Sequence, residues 1–213
     1  MNIFSYESKF SQVMLKLSYS CWLNLLWFIC SIPVFTIGAS TTALYTVTLK
    51  IAEETESNIT KQFFQAFKRN FVQATRLWLI MLLAGILIGA DLYIVSHMRA
   101  ASTGFPAVIW TLGLALNICA AIIYTVILMY VFPLLARFEN TDIEMIKNSF
   151  LIGIHYLFCT IMVAAVHFVM FYAVVALFTP LILFGEGLCA LISSYFFLNV
   201  FRVLSTTPEE EEQ

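Results

Sequence analysis

Apolar residues in this chain come in long blocks, not in the alternation of a half-buried strand or the single stripe of a soluble helix. A helix rising about 1.5 Å per residue needs about 20 apolar residues to cross about 30 Å of hydrocarbon. Five blocks reach that length: 17–37, about 75–97, about 105–136, about 150–178 and about 181–202. The third exceeds one crossing and predicts tilt or emergence into the interface. Thr179-Pro180 separates the last two, because proline disfavours helix in the residue before it and suits the first turn of the next. The pattern predicts an all-α, polytopic helical bundle with about five transmembrane helices. Residues 1–205 form one domain, and 206–213 an acidic disordered tail in which Glu209–Glu212 follow Pro208.

Two stretches between the blocks are amphipathic instead. Phe63, Phe67, Phe71, Ala74 and Trp78 recur every three or four residues, while Lys61, Gln62, Gln65, Lys68, Arg69, Gln73 and Arg76 fill the rest of the wheel. That pattern predicts an interfacial helix resting on the inner leaflet and running into the second span. A shorter version opens at Thr141-Asp142-Ile143-Glu144, a capping box, carries Ile143, Ile146 and Phe150 on its apolar side, and is expected to lead into the fourth span in the same way.

Composition agrees with a bilayer as solvent. Of 213 residues, 61% are apolar and 11% charged, and the mean hydropathy is +0.90; soluble domains carry about 25% charged residues. No Lys, Arg, Asp or Glu interrupts 100–136 or 148–185. Eleven basic against thirteen acidic residues leave a net charge of −2, with no basic run to follow a phosphate backbone, so nucleic acid is not an expected partner. The five cysteines lie in apolar stretches without metal-ligand spacing and read as small hydrophobes. His155 and His167, twelve residues apart, point to faces about 120° apart on one helix and do not form a metal pair. The first block is too long for a cleaved signal core and is expected to be retained.

Lys and Arg set the orientation. Lys50, Lys61, Lys68, Arg69 and Arg76 lie between the first two spans, Arg137 and Lys147 between the third and fourth, and Arg202 at the end of the fifth. The 50–76 loop and the C-terminus are therefore expected in the cytoplasm. Five crossings then put the N-terminus outside, against Lys9 and Lys16; a first segment that dips in at Pro33–Gly38 and returns avoids that conflict.

The run from Trp27 to Tyr45, Trp-Phe-Ile-Cys-Ser-Ile-Pro-Val-Phe-Thr-Ile-Gly-Ala-Ser-Thr-Thr-Ala-Leu-Tyr, resembles the N-terminal signature of the YesL family of bacterial integral membrane proteins. Phe64–Phe71 is similar to that family's basic and aromatic segment before the second span, and Pro133–Asn140 to its exit from the third. The resemblance implies a multi-pass protein of the bacterial cytoplasmic membrane, in a family with no settled activity whose members are often encoded with carbohydrate-uptake and polysaccharide-utilisation systems.

Three groups of residues invite chemistry. At the first, Pro33 breaks the helix and Gly38, Ser40 and Thr41 offer a new N-terminus of the kind that lines transporter sites; a plain helix end at the cytoplasmic face, with a second helix over Ser40–Ala52, is the reading preferred from sequence. At the second, Asp91 and Glu186 lie about 9 Å and about 8 Å below the outer ends of their spans, in one layer with Arg99, His97, Thr111 and Tyr93 as the nearest partners; this is a candidate polar pocket, with two rim residues reaching water as the equal alternative. At the third, Gly85 and Gly89 form a G-x-x-x-G packing motif, expected to serve within the monomer. Asn24, Asn117 and Asn199 are expected to hydrogen-bond between helices.

No G-x-S-x-G, H-E-x-x-H or phosphate-loop motif occurs, and the short loops leave no room for a catalytic domain. The chain is expected to be no enzyme and to hold no metal or cofactor. Its expected partners are the lipid bilayer and another membrane protein such as a sugar-uptake system. Two functions stand: an accessory component of carbohydrate uptake, or a small-solute transporter or channel using the helix break or the Asp91/Glu186 layer.

Overall fold

The computed structural model describes residues 9–177 and 182–206, as seven α-helices and no strand. They are α1 (Lys9–Ser31), α2 (Ile37–Ala52), α3 (Ile59–Ala101), α4 (Phe105–Arg137), α5 (Asp142–His155), α6 (Leu157–Tyr172) and α7 (Ile182–Thr206). Five of these, α1, α3, α4, α6 with the π turn that extends it, and α7, are long and apolar enough to cross a membrane. The Thr179-Pro180 turn and nearly all of the 206–213 tail lie outside the described residues.

The sixth helix in contact with this set, α2, is the centre of the bundle. Twelve of its sixteen residues are buried, although five of those twelve are Gly, Ser or Thr. A polar helix survives there because its hydroxyls are satisfied within their own turn. Ser40 donates to Thr36 O at 3.0 Å, Thr42 to Gly38 O at 2.9 Å and Thr46 to Thr42 O at 2.8 Å. Small residues also let neighbours approach closely.

Pairings along the helices give their directions. Lys16 meets Glu54 at 2.9 Å and Trp27 Nε1 donates to Thr41 Oγ1 at 3.0 Å, so α1 and α2 are an antiparallel hairpin whose tip is 32–36. Trp78 Nε1 donates to Val34 O at 2.7 Å at that tip, while Gln62 and Ala66 sit beside Leu49 and Lys50, so α3 runs back along α2. α3 and α4 pair antiparallel through Arg99–Thr111 and Tyr124–Met81. α7 runs parallel to α4, with the Tyr130–Phe197 and Phe138–Phe201 rings 5.2 and 5.5 Å apart, and antiparallel to α1, where Gly187 N donates to Asn24 Oδ1 at 2.7 Å.

These directions correct the sequence reading at four points. The return of α2 brings the Lys16 end of α1 to the same end of the bundle as Lys50, Arg137 and the finish of α7, so counting five crossings misplaces the N-terminal side. A hydropathy count passes over α2 because 16 residues span only about 24 Å and carry five Ser or Thr. The first helix also ends at Ser31, not Ile37, since Pro33 (φ −74°, ψ 112°) is extended and Val34–Thr36 form a 3₁₀ turn. The amphipathic start of α3 is continuous with the second span, as expected, yet its apolar side covers protein: Phe63 and Ala74 are fully buried with the α2 core, while Lys61 and Lys68 face outward.

The fourth point concerns α5 and α6, which are separate helices. The capping box forms, with Thr141 N donating to Glu144 Oε2 at 3.0 Å and Glu144 N to Thr141 Oγ1 at 3.4 Å. The Thr141 N–H, and then the Thr141 hydroxyl 2.9 Å from the same Oε2, hold the Glu144 carboxyl below the usual carboxylate range. Tyr156 then leaves helical geometry (φ −105°, ψ 53°), and the Thr160 hydroxyl satisfies the Gly153 carbonyl across the junction at 2.7 Å. Gly153 itself is pressed on α4, where an added Cβ would overlap Val126 Cγ1.

Beyond the tip of the α1–α2 hairpin, α3 and α4 continue as a two-helix arm. From residue 83 to 124 only Val95 and Asn117 are buried. Gly104 (φ +65°) makes the turn between the two helices in a conformation open to glycine.

Candidate functional site

The helix break is a packed turn. Thr36 Oγ1 lies 2.6 Å from both Cys30 O and Pro33 O, so one hydroxyl serves carbonyls that the proline turn frees. Gly38 and Ser40 are buried. A Cβ at position 38 stands 2.5 Å from Ala74 O, 2.6 Å from Trp78 Cβ and 2.9 Å from Phe132 Cε1, so only glycine lets α2 approach α3 and α4 here. Ser40 and Thr42 spend their protons on their own helix, which removes them as donors to a ligand. The sequence preference for a helix end at the cytoplasmic face is replaced by a hairpin tip that rests on the middle of α3.

Beside this tip a cavity of about 240 Å³ opens between α1, α2, α3, α4, α6 and α7. Trp27, Tyr45 and Trp78 form aromatic walls, and Thr41, His167 and Glu186 supply polar groups. His167 Nδ1 is 2.9 Å from Val163 O; with the proton on Nδ1 donated to that carbonyl, Nε2 is the nitrogen left for the cavity. The indole N–H groups of Trp27 and Trp78 are bound to Thr41 and Val34, which fixes both rings. Two sequence candidates that seemed independent, Thr41 at the break and Glu186 in α7, thus line one space. His167, which pairs with no second histidine on its own helix, belongs to it too.

Asp91, Arg99 and His97 do not join Glu186. Asp91 accepts from Asn117 Nδ2 on α4, Arg99 Nε donates to Thr111 Oγ1 at 2.6 Å, and His97 packs on Tyr93 with centroids 4.4 Å apart. Along α4 the Asp91 partner, Asn117, is eleven or twelve residues from Leu128 and Met129, which border the Glu186 cavity, a separation of about 17 Å. The single outer layer inferred from depth is therefore two places. The depth argument failed because it measured from each helix's own end, and α3 extends far beyond the level at which α7 begins. All three arm residues are exposed on this chain. The glycine motif divides in the same way: a Cβ at Gly85 stands 2.6 Å from Tyr124 Oη, whereas Gly89 has nothing within 4 Å.

A third place escaped the sequence reading. Where α2 and α4 end against the start of α3, a cleft of about 420 Å³ is lined by Lys50, Glu53, Gln62, Gln65, Arg69 and Arg137. Its signal was present as the basic count of the 50–76 loop, but nothing in one dimension brings Arg137 beside Lys50. Among the described residues no group of three His, Cys, Asp or Glu is placed to hold a metal ion.

Residues 21–92, which hold most of the α1–α2 hairpin and α3 through Leu92, match the family model described as "Protein of unknown function, DUF624". The chain is 26% identical over 202 residues to Uncharacterized protein YesL of Bacillus subtilis (strain 168), covering 93% of this chain and 90% of YesL. It is 27% identical over 170 residues to Uncharacterized protein YteU of the same organism, covering 77% of this chain and 71% of YteU. No solved structure matches. The family model covers most of the hairpin that builds the core, and the similarity to YesL runs along nearly the whole bundle, so this chain is similar to the YesL-like proteins of the DUF624 family.

Proposed function

We propose that the protein is a non-enzymatic accessory component of the cytoplasmic membrane that docks, through the α3–α4 arm, onto a membrane protein of a carbohydrate-uptake system. The carrying observation is the arm itself, in which only Val95 and Asn117 are buried between residues 83 and 124 while Asp91 and Arg99 are exposed. A charged side chain costs roughly 2.5–3.5 kcal/mol at mid-membrane on insertion scales. Covering Asp91 and the open face at Gly89 with a partner helix removes that cost and uses small-residue packing. The carbohydrate setting rests on the family resemblance. The basic end of the bundle faces the cytoplasm on this reading, by the excess of Lys and Arg there.

Affinity capture of the tagged chain in mild detergent tests it. Capture of a sugar-uptake component by the parent, lost on Asp91→Leu with Gly89→Leu, is the expected result. A captured set without such a component, or one unaffected by the arm variants, defeats the reading. Cysteines introduced at Asn58 and Gln12 in a cysteine-free background are expected to be labelled only in permeabilised cells, both from the same side.

The cavity at Glu186 supports the second reading, a small-solute site, because it combines a carboxylate, an imidazole and two fixed indoles. Solute uptake by proteoliposomes containing this chain alone, abolished by Glu186→Gln, would favour transport over docking.

A further inference from the structure

The docking reading uses the arm and leaves the cleft at the opposite, basic end of the bundle without a role. We propose that this cleft binds a phosphate-bearing anion. Three cations from three helices surround it: Lys50 in the last turn of α2, Arg69 inside α3 and Arg137 at the end of α4. Glu53 is the acidic residue of the lining and is held by Arg137 at 2.9 Å. Lys50 and Arg69 make no ion pair among the described residues, so the cleft carries an excess of two positive charges.

Helix capping explains only part of this. Lys50 and Arg137 close helix C-termini, where a cation offsets the dipole. Arg69 lies ten residues into a 43-residue helix and has no such duty; it turns two capping cations into a three-sided cage. The neutral lining suits an oxyanion as well. Gln65 adds an amide, and the end of the Gln62 amide that does not reach Ser57 is buried without a hydrogen-bond partner. A guanidinium matches two phosphate oxygens at once, and a spare amide suits the hydroxyls of a glycerol or sugar attached to that phosphate. A volume of about 420 Å³ admits such a group. The ligand chemistry is a phosphate ester carrying hydroxyls, supplied either by an anionic phospholipid headgroup, which basic pockets between membrane helices recruit, or by a soluble phosphate ester.

The full chain, delipidated in neutral detergent, is titrated with phosphatidylglycerol, with glycerol 3-phosphate and with phosphatidylcholine as the zwitterionic control. Saturable binding of phosphatidylglycerol alone identifies the lipid source; binding of glycerol 3-phosphate as well identifies the soluble one; either supports the site. Lys50→Gln and Arg69→Gln are each expected to weaken binding about fivefold, while Lys61→Gln with Lys68→Gln, on the outward face of α3, leaves it unchanged. Gln65→Glu, which sets a carboxylate in the cleft without removing a cation, weakens it too and replaces the cation variants if they do not fold. No saturable binding of either anion, equal binding by the cleft variants and the parent, or an equal loss in the Lys61/Lys68 variant overturns the proposal.

Discussion

The packed body around α2 and the arm formed by the far halves of α3 and α4 solve opposite problems. In α2 nearly every side chain is inside, though the helix carries Ser40, Thr41, Thr42, Thr46 and Thr48. In the arm nearly every side chain is outside, though it is built largely of Leu, Ile and Ala. In water that distribution would be inverted. In a bilayer the lipid is as apolar as leucine, so burial is decided by closeness of fit and by internal hydrogen bonds. Small and hydroxyl residues supply both, and the large aliphatic residues are left to face the chains of the lipid.

The difference predicts unequal responses to the same substitution. Gly38→Ala forces a Cβ against the Ala74 carbonyl and the Trp78 side chain and is expected to lower stability by about 1–3 kcal/mol, the usual cost of overpacking. Gly89→Ala meets nothing within 4 Å and should stay within about 0.5 kcal/mol of the parent. Thermal melting in detergent measures both; equal effects would dissolve the contrast between body and arm.

Polar residues sharpen it next. Asn24 is fully buried and accepts the Gly187 N–H. Asn24→Ala strands that donor where α1 and α7 touch, at an expected cost of about 1–3 kcal/mol. Asp91→Asn removes the exposed charge while keeping an acceptor for the buried Asn117 amide, and should shift melting by less than about 0.5 kcal/mol. A large loss of melting stability in Asp91→Asn would mean that the Asp91 charge itself holds the arm together through Asn117.

The smallest expected effect lies outside the membrane, at the start of α5. The folded carboxyl of Glu144 is lowered by the Thr141 N–H and then by its hydroxyl, and the unfolded value is about 4.3. A depressed folded value means that the contribution is complete above about pH 4.3 and is lost as the pH falls through the folded value. Hydrogen exchange at the first turn of α5 should therefore speed up below that range, beyond the intrinsic pH trend. Glu144→Gln keeps a capping side chain and should remove the extra acid dependence.

Much of the bundle was legible in one dimension. The lengths of the apolar blocks located the five helices long enough to cross a membrane, the Thr141–Glu144 box its hydrogen bonds, and Pro33–Gly38 the break. The candidate site was legible in pieces only. Thr41, Glu186 and His167 were each conspicuous as polar groups in apolar runs, but their meeting depends on the return of α2, and Asp91 was grouped with Glu186 by a depth rule that assumes helices of equal reach.

What the sequence determined by itself is the solvent and the elements, because transfer free energy and helix breaking act on a dozen or two consecutive residues and need no partner. What only the tertiary structure decided is which helix is central and which side chains share a cavity. Those depend on whether Gly38 can lie against Ala74 and whether Thr42 can find a carbonyl in its own turn, conditions set between segments that the chain joins but does not align.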